Sequence, residues 1–237
     1  GIKVATLSQS FQDAIKIALE IGVRFIWIDS LCIIQDCPQD WLEQSVQMQH
    51  IYGQSFCNIA ATVSADGGGG CFRTRRTEAL RPVKLRWEEY KGKPSVHERY
   101  LTDAGLWWDR FEREPLNRRA WVLQERMLAP RLLHYDHDQV VWECNELTAT
   151  ERFPRGLGRL IGASNATSIL RAPLEPNLRV DQEHAVAGRA LAEIWRPVVR
   201  LYTTLAITRW TDRLIALAGV GQRIQDRLGW DYVAGMF

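Results

Sequence analysis

The apolar residues of the first part of the chain change their spacing from one segment to the next, which predicts a helix followed by a strand. Residues 8–21 carry apolar side chains at the i, i+3, i+4 spacing of a helix, with Ser8 placed to cap its start and Gly22 to end it. Residues 25–36 then begin as an apolar, β-rich run, which predicts a buried strand that turns polar at Asp29.

The same alternation continues in the next segment. A second helix is predicted from Asp40, with Glu43 at its third position completing a capping box. Small and β-branched residues at 56–63 predict a second strand. Helices and strands joined by short links predict an α/β fold with a partly parallel sheet flanked by helices.

Glycines and charged residues interrupt this pattern over about 66–114, which we interpret as an insertion over the sheet. The run Gly67–Gly70 lacks the Lys-Ser/Thr of a phosphate-binding loop and is predicted to be a flexible loop. Within the insertion, Val83–Trp87 and His97–Leu101 are predicted as short strands, and we expect an inserted β-hairpin there.

Regular spacing returns in the last part of the chain. Residues 118–128 are helical in period, and Arg131–Tyr135 with Gln139–Glu143 predict a hairpin. Residues 154–180 are rich in loop-forming residues. Two amphipathic helices follow, from Gln182 to Ala206, with a kink at Pro197, and from Asp212 to Leu228. We therefore divide the chain into an α/β core at 1–153 and a loop plus helical part at 154–237 that packs on it.

Composition narrows the class of protein. The 237 residues have a formal net charge of +2, and the arginines are scattered, so the sequence does not predict a nucleic-acid-binding protein. No run approaches the roughly 18–20 apolar residues needed to span a bilayer, and the N-terminal residues do not have the pattern of a signal peptide. Five cysteines, several within apolar runs, suit a reducing compartment, so we expect a cytoplasmic protein.

Residues that bind metals or act as nucleophiles do not occur in a diagnostic spacing. His134 and His137 with Cys144 do not match a known pattern of zinc ligands, and neither do Cys32 and Cys37, so no metal site is predicted. Nucleophilic catalysis by Cys32 or by Ser30 would require a positioned base that the sequence does not identify.

The acidic residues beside aromatic side chains are the stronger candidates for chemistry. Asp29, Asp36, Glu43 and Glu125 all lie in such surroundings. A glutamate in an apolar aromatic pocket has a raised pKa and can act on a glycosidic bond. A buried Arg–Glu network that joins a helix to the sheet explains Glu125 equally well, and Asp29 can also cap a turn or neutralise a buried arginine.

Blocks of residues along the chain resemble the fungal heterokaryon incompatibility (HET) domain. The first block comprises Trp27-Ile28-Asp29-Ser30-Leu31-Cys32-Ile33-Ile34-Gln35-Asp36, Asp40-Trp41, Ile51-Tyr52 and Ile59-Ala60-Ala61. The second comprises Pro115-Leu116-Asn117, Arg119-Ala120-Trp121, Leu123-Gln124-Glu125-Arg126, Leu133-His134-Tyr135 and Trp142-Glu143-Cys144, and a third is Asp212-Arg213-Leu214-Ile215-Ala216-Leu217-Ala218-Gly219.

The sequence departs from the family pattern at two places. The family usually has a Leu-Ser-Tyr-x-Trp-Gly strand ahead of the first helix, and this sequence begins at Gly1, after that position. The family also commonly carries Glu four residues after the Asp of its Asp-Trp pair. Here that residue is Gln44, and Glu43 lies one place earlier, about 100° around the helix.

The resemblance implies a role in non-self recognition between fungal strains that ends in programmed cell death. HET domains are distantly similar to TIR domains, some of which cleave NAD at its glycosidic bond with a helix glutamate. The resemblance to HET domains therefore implies a TIR-like or flavodoxin-like sheet, with NAD as substrate and no resident cofactor. Glu43 or Glu125 would be catalytic, and the pocket residues would be Asp29, Ser30, Trp41, Arg119, Trp121 and Arg126.

Two other functions are compatible with the same sequence. The first is a non-catalytic signalling domain that self-associates or binds a partner signalling protein. The second is an enzyme of fungal small-molecule biosynthesis built on the HET scaffold. Helices rich in Trp and Arg suit either an interface or an apolar pocket.

Overall fold

The computed structural model describes residues 1–75, 83–91, 93–101, 111–157 and 195–237. Most of the loop-rich stretch predicted at 154–180 lies outside the described residues, as does the first part of the helix predicted from Gln182. Of the residues immediately ahead of Pro197, only Trp195 and Arg196 are described, so the kink predicted there stays a prediction.

Helix α1 spans Gln9–Glu20, which confirms the helix predicted at 8–21. Its C-terminal end is a Schellman motif: the amide of Gly22, at φ 76°, donates to Leu19, and the amide of Val23 donates to Ala18 at 2.8 Å. Ser8 occupies the N-cap position, but its side chain makes no capping hydrogen bond.

The buried strand predicted at 25–36 is wrong. Residues 23–28 adopt no regular secondary structure, Asp29–Cys32 forms the single-turn helix α2, and Phe25 is 82% exposed. The polar pair at 29–30 starts a turn, because the carboxylate of Asp29 accepts the backbone amide of Ser30 at 2.7 Å. No described strand lies alongside to supply the ladder that an extended backbone needs.

Helix α3 spans Pro38–Gly53 and begins earlier than predicted, since proline is favoured at the first helical position. The predicted capping box is wrong, because the Sγ of Cys37 accepts the amide of Asp40 at 3.5 Å in its place. The carboxylate of Asp40 instead accepts the amide of Ile34 at 2.7 Å and ties the preceding loop to the helix.

Strand β1, Asn58–Ala60, lies within the predicted strand at 56–63. Residues 61–75 contain no helix or strand, which confirms the loop predicted around Gly67–Gly70. The hairpin predicted in the insertion is confirmed and is longer than expected. Strand β2, Val83–Lys91, pairs antiparallel with β3, Lys93–Leu101.

β2 and β3 form a sheet of their own, and the other three strands of the sheet that contains β1 follow helix α4, Ala120–Leu128. The strands are β4, Arg131–Tyr135, β5, Val140–Cys144, and β6, Thr148–Thr150. In the sheet order β1-β4-β5-β6, only the pair β1 and β4 is parallel. The predicted α/β class with a partly parallel sheet is therefore confirmed, as is the hairpin of β4 and β5.

The C-terminal part packs on α4. Residues 195–203 are helical, and helix α5, Ile215–Leu228, ends at Gly229 with φ 71°. The shared core comprises Ala120, Leu123, Met127, Val198, Tyr202, Ala216, Leu217, Val220 and Ile224. Short 3-10 helices occur at Val4–Thr6, Phe111–Arg113, Leu116–Arg118 and Trp210–Asp212. Within the described ranges, every helix is too short or too polar to cross a bilayer.

Candidate functional site

A cavity of about 960 Å³ lies beside the free edge of β1. It is bounded by α1, by residues 23–30, by α3 and by Trp121 and Glu125 of α4. Asn58 and Ile59 of β1 line the cavity, and in the described sheet β1 pairs only with β4. Apolar lining residues include Phe11, Ala14, Ala18, Val23, Ile26, Met48, Ile51 and Ile59. A volume of this size is typical of a site for a small molecule.

Six of the eight residues predicted from the sequence line this one cavity: Asp29, Ser30, Trp41, Arg119, Trp121 and Glu125. They come from three separate stretches of the chain: the start of α2, the first turn of α3, and residues 119–125 at the start and in the middle of α4. Trp41 and Trp121 pack edge to face with ring centroids 6.2 Å apart, which joins α3 to α4 at the cavity wall.

The other two predicted residues lie elsewhere. Glu43 is exposed on α3, where it accepts a hydrogen bond from the side chain of Gln39 at 2.6 Å. Arg126 is buried on the side of α4 that faces the sheet. The two glutamates predicted as catalytic therefore do not converge on one site.

Glu125 is the carboxyl group with the most unusual surroundings. Burial is the main cause that raises its pKa, to about 7, and the negative charge of Asp29 raises it further. The charge of Arg119 and a hydrogen bond with Tyr52 act in the opposite direction. At neutral pH this carboxyl group is therefore divided between its protonated and ionised forms.

Tyr52 lines the cavity, but it was not among the site residues predicted from the sequence. Burial raises the pKa of its hydroxyl well above the ordinary value, and the charge of Glu125 raises it further, so the hydroxyl keeps its proton and donates to Glu125. The ring of Trp27 packs edge to face on Tyr52 at 5.7 Å and holds it in place. The signal for it in the sequence was its place in the Ile51-Tyr52 part of the block that resembles the HET domain.

Arg126, next in sequence to Glu125, belongs to a buried ion network. Its guanidinium contacts the carboxylate of Glu143 at 2.8 and 2.9 Å and that of Glu112 at 2.9 and 3.1 Å. The imidazole of His134 contacts Glu143 at 2.9 Å and Thr62 at 3.3 Å. From the sequence, a buried Arg–Glu network was one explanation of Glu125. Such a network exists, but its members are Arg126, Glu143 and Glu112, and it joins α4 to β4 and β5.

The C-terminal part of the chain contributes a further wall that sequence reasoning missed, formed by Thr208, Arg209 and Asp212. Its backbone is joined to the start of α4, because the amide of Ala206 donates to Arg118 at 2.7 Å and that of Ala120 donates to Ala206 at 2.9 Å. A break between two amphipathic helices that carries polar residues was the only signal for this wall.

Among the described residues, no group of His, Cys, Asp and Glu has the geometry to hold a metal ion. All five cysteines are unpaired as disulfides. The ionisable side chains that line the cavity include the carboxyl groups of Asp29 and Glu125, the hydroxyl of Tyr52 and the guanidinium groups of Arg119 and Arg209.

Comparison with known proteins places the chain in a family. No curated protein and no solved structure matches it significantly. Residues 1–125, more than half of the chain, match the family profile described as Heterokaryon incompatibility protein (HET). These residues include α1, α3 and β1 and reach Glu125, so they contain most of the cavity wall. The chain belongs to the heterokaryon incompatibility (HET) family, and its function is in general of the heterokaryon incompatibility type.

Proposed function

We propose that this HET chain cleaves the N-glycosidic bond of NAD, and that this reaction drives an incompatibility response that ends in cell death. The observation that carries the proposal is the carboxyl group of Glu125, which lies in an aromatic-lined cavity next to a second carboxylate, Asp29, with a pKa of about 7.

The reaction needs negative charge beside the ribose. As the bond between C1′ and the nicotinamide nitrogen breaks, its electron pair leaves with neutral nicotinamide, and positive charge develops on the ribosyl group. Ionised Glu125 and Asp29 would stabilise that charge because both carboxylates line the same cavity. Water then attacks C1′ and gives a proton to Glu125, whose pKa near neutrality suits it to act as the base.

The surrounding residues would hold the substrate and the carboxylate. Trp41 and Trp121 offer aromatic surface at the cavity wall, against which a planar ring can pack. Tyr52 donates its hydrogen bond to the ionised form of Glu125 and fixes the direction of the carboxylate. Gln44, at the family's usual glutamate position, carries no charge. Glu125 therefore supplies the catalytic carboxylate in its place.

Incubation of the purified protein with NAD, followed by measurement of released nicotinamide, tests this function. The wild-type chain is expected to release nicotinamide, and Glu125→Gln is expected to lower the rate by about a hundredfold or more. Glu43→Gln is the matched control, since it makes the same change on an exposed face of α3 and should retain the wild-type rate. Absence of release at high protein concentration would overturn the proposal.

A non-catalytic, self-associating role is the second candidate. Apolar side chains are exposed on the outer surface of α2 and α3, where Leu31, Leu42 and Val46 are 38%, 48% and 56% exposed. Exposed apolar side chains that lie together often form an interaction surface. Light scattering over a range of concentrations tests this role, and a protein that stays monomeric throughout would contradict it.

A further inference from the structure

The cavity is completed by a segment that lies outside the matched residues 1–125. Arg209 lines it from this C-terminal segment, and Arg119 lines it from the start of α4. The family match therefore covers only one of the two arginines in the wall, and the C-terminal part supplies the other.

The backbone keeps the two arginines within reach of one small group. Arg119 and Ala206 form a parallel β-bridge, which sets their backbones about 5 Å apart. Arg209 follows Ala206 by three residues, which span about 10 Å at most. The two guanidinium groups can therefore approach a single elongated anion from two sides.

Both guanidinium groups are available to a ligand. Within the part of the chain that the structure describes, neither forms a direct ion pair with a carboxylate. Their neighbour Arg213 is different, because its guanidinium stacks on the ring of Trp210 at 4.0 Å. Arg119 and Arg209 are both exposed, which leaves their donor groups accessible from the cavity.

The carboxylates that line the cavity do not form direct ion pairs with Arg119 or Arg209 in the described part of the chain. Glu125 interacts with Arg119 through charge, with no direct hydrogen bond between the two described side chains, and Asp212 accepts a hydrogen bond from its own neighbour Thr211 at 3.1 Å. Asp66, which also lines the cavity, accepts the backbone amide of Gly68 at 2.8 Å. Arg209 is thus a cation in the wall whose described surroundings provide no direct partner.

We propose that Arg209, together with Arg119, forms the subsite that binds the phosphate groups of the substrate. A guanidinium presents paired donors that match phosphate oxygens, and such charge-assisted hydrogen bonds are stronger than neutral ones. The assignment of this ligand as a nucleotide pyrophosphate rests on the proposed glycohydrolase function. Because Arg209 belongs to the C-terminal part of the chain, this subsite makes that part the determinant of selectivity for phosphate-bearing substrates over simple ribosides.

Two substrates that share the scissile bond test the subsite. NAD carries a pyrophosphate, whereas nicotinamide riboside does not. In Arg209→Gln, the KM for NAD is expected to rise about tenfold, because the substitution removes one charge-assisted hydrogen bond to the pyrophosphate. The kcat for NAD and both constants for nicotinamide riboside should stay at their wild-type values, and Arg209→Lys should recover part of the loss. Arg200→Gln, an exposed arginine outside the cavity wall, is the control.

The outcomes separate this proposal from the function on which it rests. Equal effects of Arg209→Gln on NAD and on nicotinamide riboside, or no effect on either, would overturn the subsite while leaving the glycohydrolase intact. If the wild-type protein releases no nicotinamide, calorimetric titration with ADP-ribose decides the question. Binding that weakens about tenfold in Arg209→Gln would support the subsite without the reaction, and unchanged or undetectable binding would overturn it.

Discussion

Glu125, on the cavity side of α4, and Glu143, on the strand β5 that meets Arg126 of the same helix, show how differently a fold can treat a carboxyl group. Glu143 meets Arg126 and His134, and although burial alone would raise its pKa, these partners hold the pKa well below the ordinary value. Glu125 has a tyrosine hydroxyl as its hydrogen-bond partner and a second carboxylate nearby, and its pKa is raised to about 7.

The difference lies in the completeness of the partner set. The Arg126 network saturates its carboxylates with short hydrogen bonds, which gives them a structural role. Glu125 faces a cavity and lacks such a set, which leaves its charge responsive to pH and to a ligand. A perturbed pKa in a cleft marks a functional group, whereas the same burial with full pairing marks a structural one.

Disruption of the network is expected to have the largest effect. Arg126→Met leaves the carboxylates of Glu143 and Glu112 buried without their cation, so the free energy of unfolding should fall by about 3–5 kcal/mol. Denaturant titration measures this loss. Arg200→Met, at an exposed position, is the control, and a loss as small as that of the control would contradict the structural role of the network.

Glu125→Gln should change stability in a way that depends on pH. The raised pKa means that the folded state holds a proton that the unfolded state releases between about pH 4.5 and pH 7, so this group's contribution to stability falls as the pH rises through that range. The variant should match the wild type at pH 4.5 and be more stable by about 3 kcal/mol at pH 8, since each unit of pKa shift corresponds to about 1.4 kcal/mol.

Glu143→Gln provides the matched comparison for that variant. Its carboxylate has a lowered pKa, so its contribution is present above the ordinary pKa of glutamate and is lost as the pH falls through the folded-state value. The variant should therefore be less stable than the wild type at pH 8, opposite in sign to Glu125→Gln. The same sign for both variants would show that the two sites do not differ as described.

Asp29→Asn should shift the pH dependence of nicotinamide release. The charge of Asp29 raises the pKa of Glu125, so its removal lowers that pKa and moves the ascending limb of the rate profile to lower pH. The measurement is the rate from pH 5 to pH 9. Asp36→Asn, an exposed residue outside the cavity wall, should leave the midpoint in place.

Tyr52→Phe should have the smallest effect and the opposite sign. The hydroxyl stabilises the ionised form of Glu125, so its loss raises the pKa and moves the ascending limb to higher pH. The hydrogen bond with Tyr52 contributes less than the charge of Asp29, so the shift should be smaller than that of Asp29→Asn. A shift to lower pH would contradict this hydrogen bond.

Local patterns predicted the helices well and failed where tertiary pairing decides the structure. The spacing of apolar residues and the glycine at 22 were enough for α1. The β-rich run at 25–28 was not enough for a strand, because a strand requires a neighbouring backbone that sequence spacing does not reveal.

The candidate site was predicted in part for the same reason. Asp29, Trp41 and Glu125 could be named because they lie beside aromatic residues within recognisable blocks. Arg126 and Glu125 are adjacent in the sequence, and only the packing of α4 between the cavity and the sheet separates their roles. Arg209 comes from a distant segment, so no local pattern connects it to the cavity.

Titration of the glutamate carboxyl groups by carbon NMR tests the central claim most directly, because it does not depend on any substrate. The signal that disappears in Glu125→Gln should titrate at about pH 7 and should move to lower pH in Asp29→Asn. The signal that disappears in Glu143→Gln should stay ionised throughout the range over which Glu125 titrates. Titration of Glu125 at about 4.5, the ordinary value for a glutamate, would contradict the account.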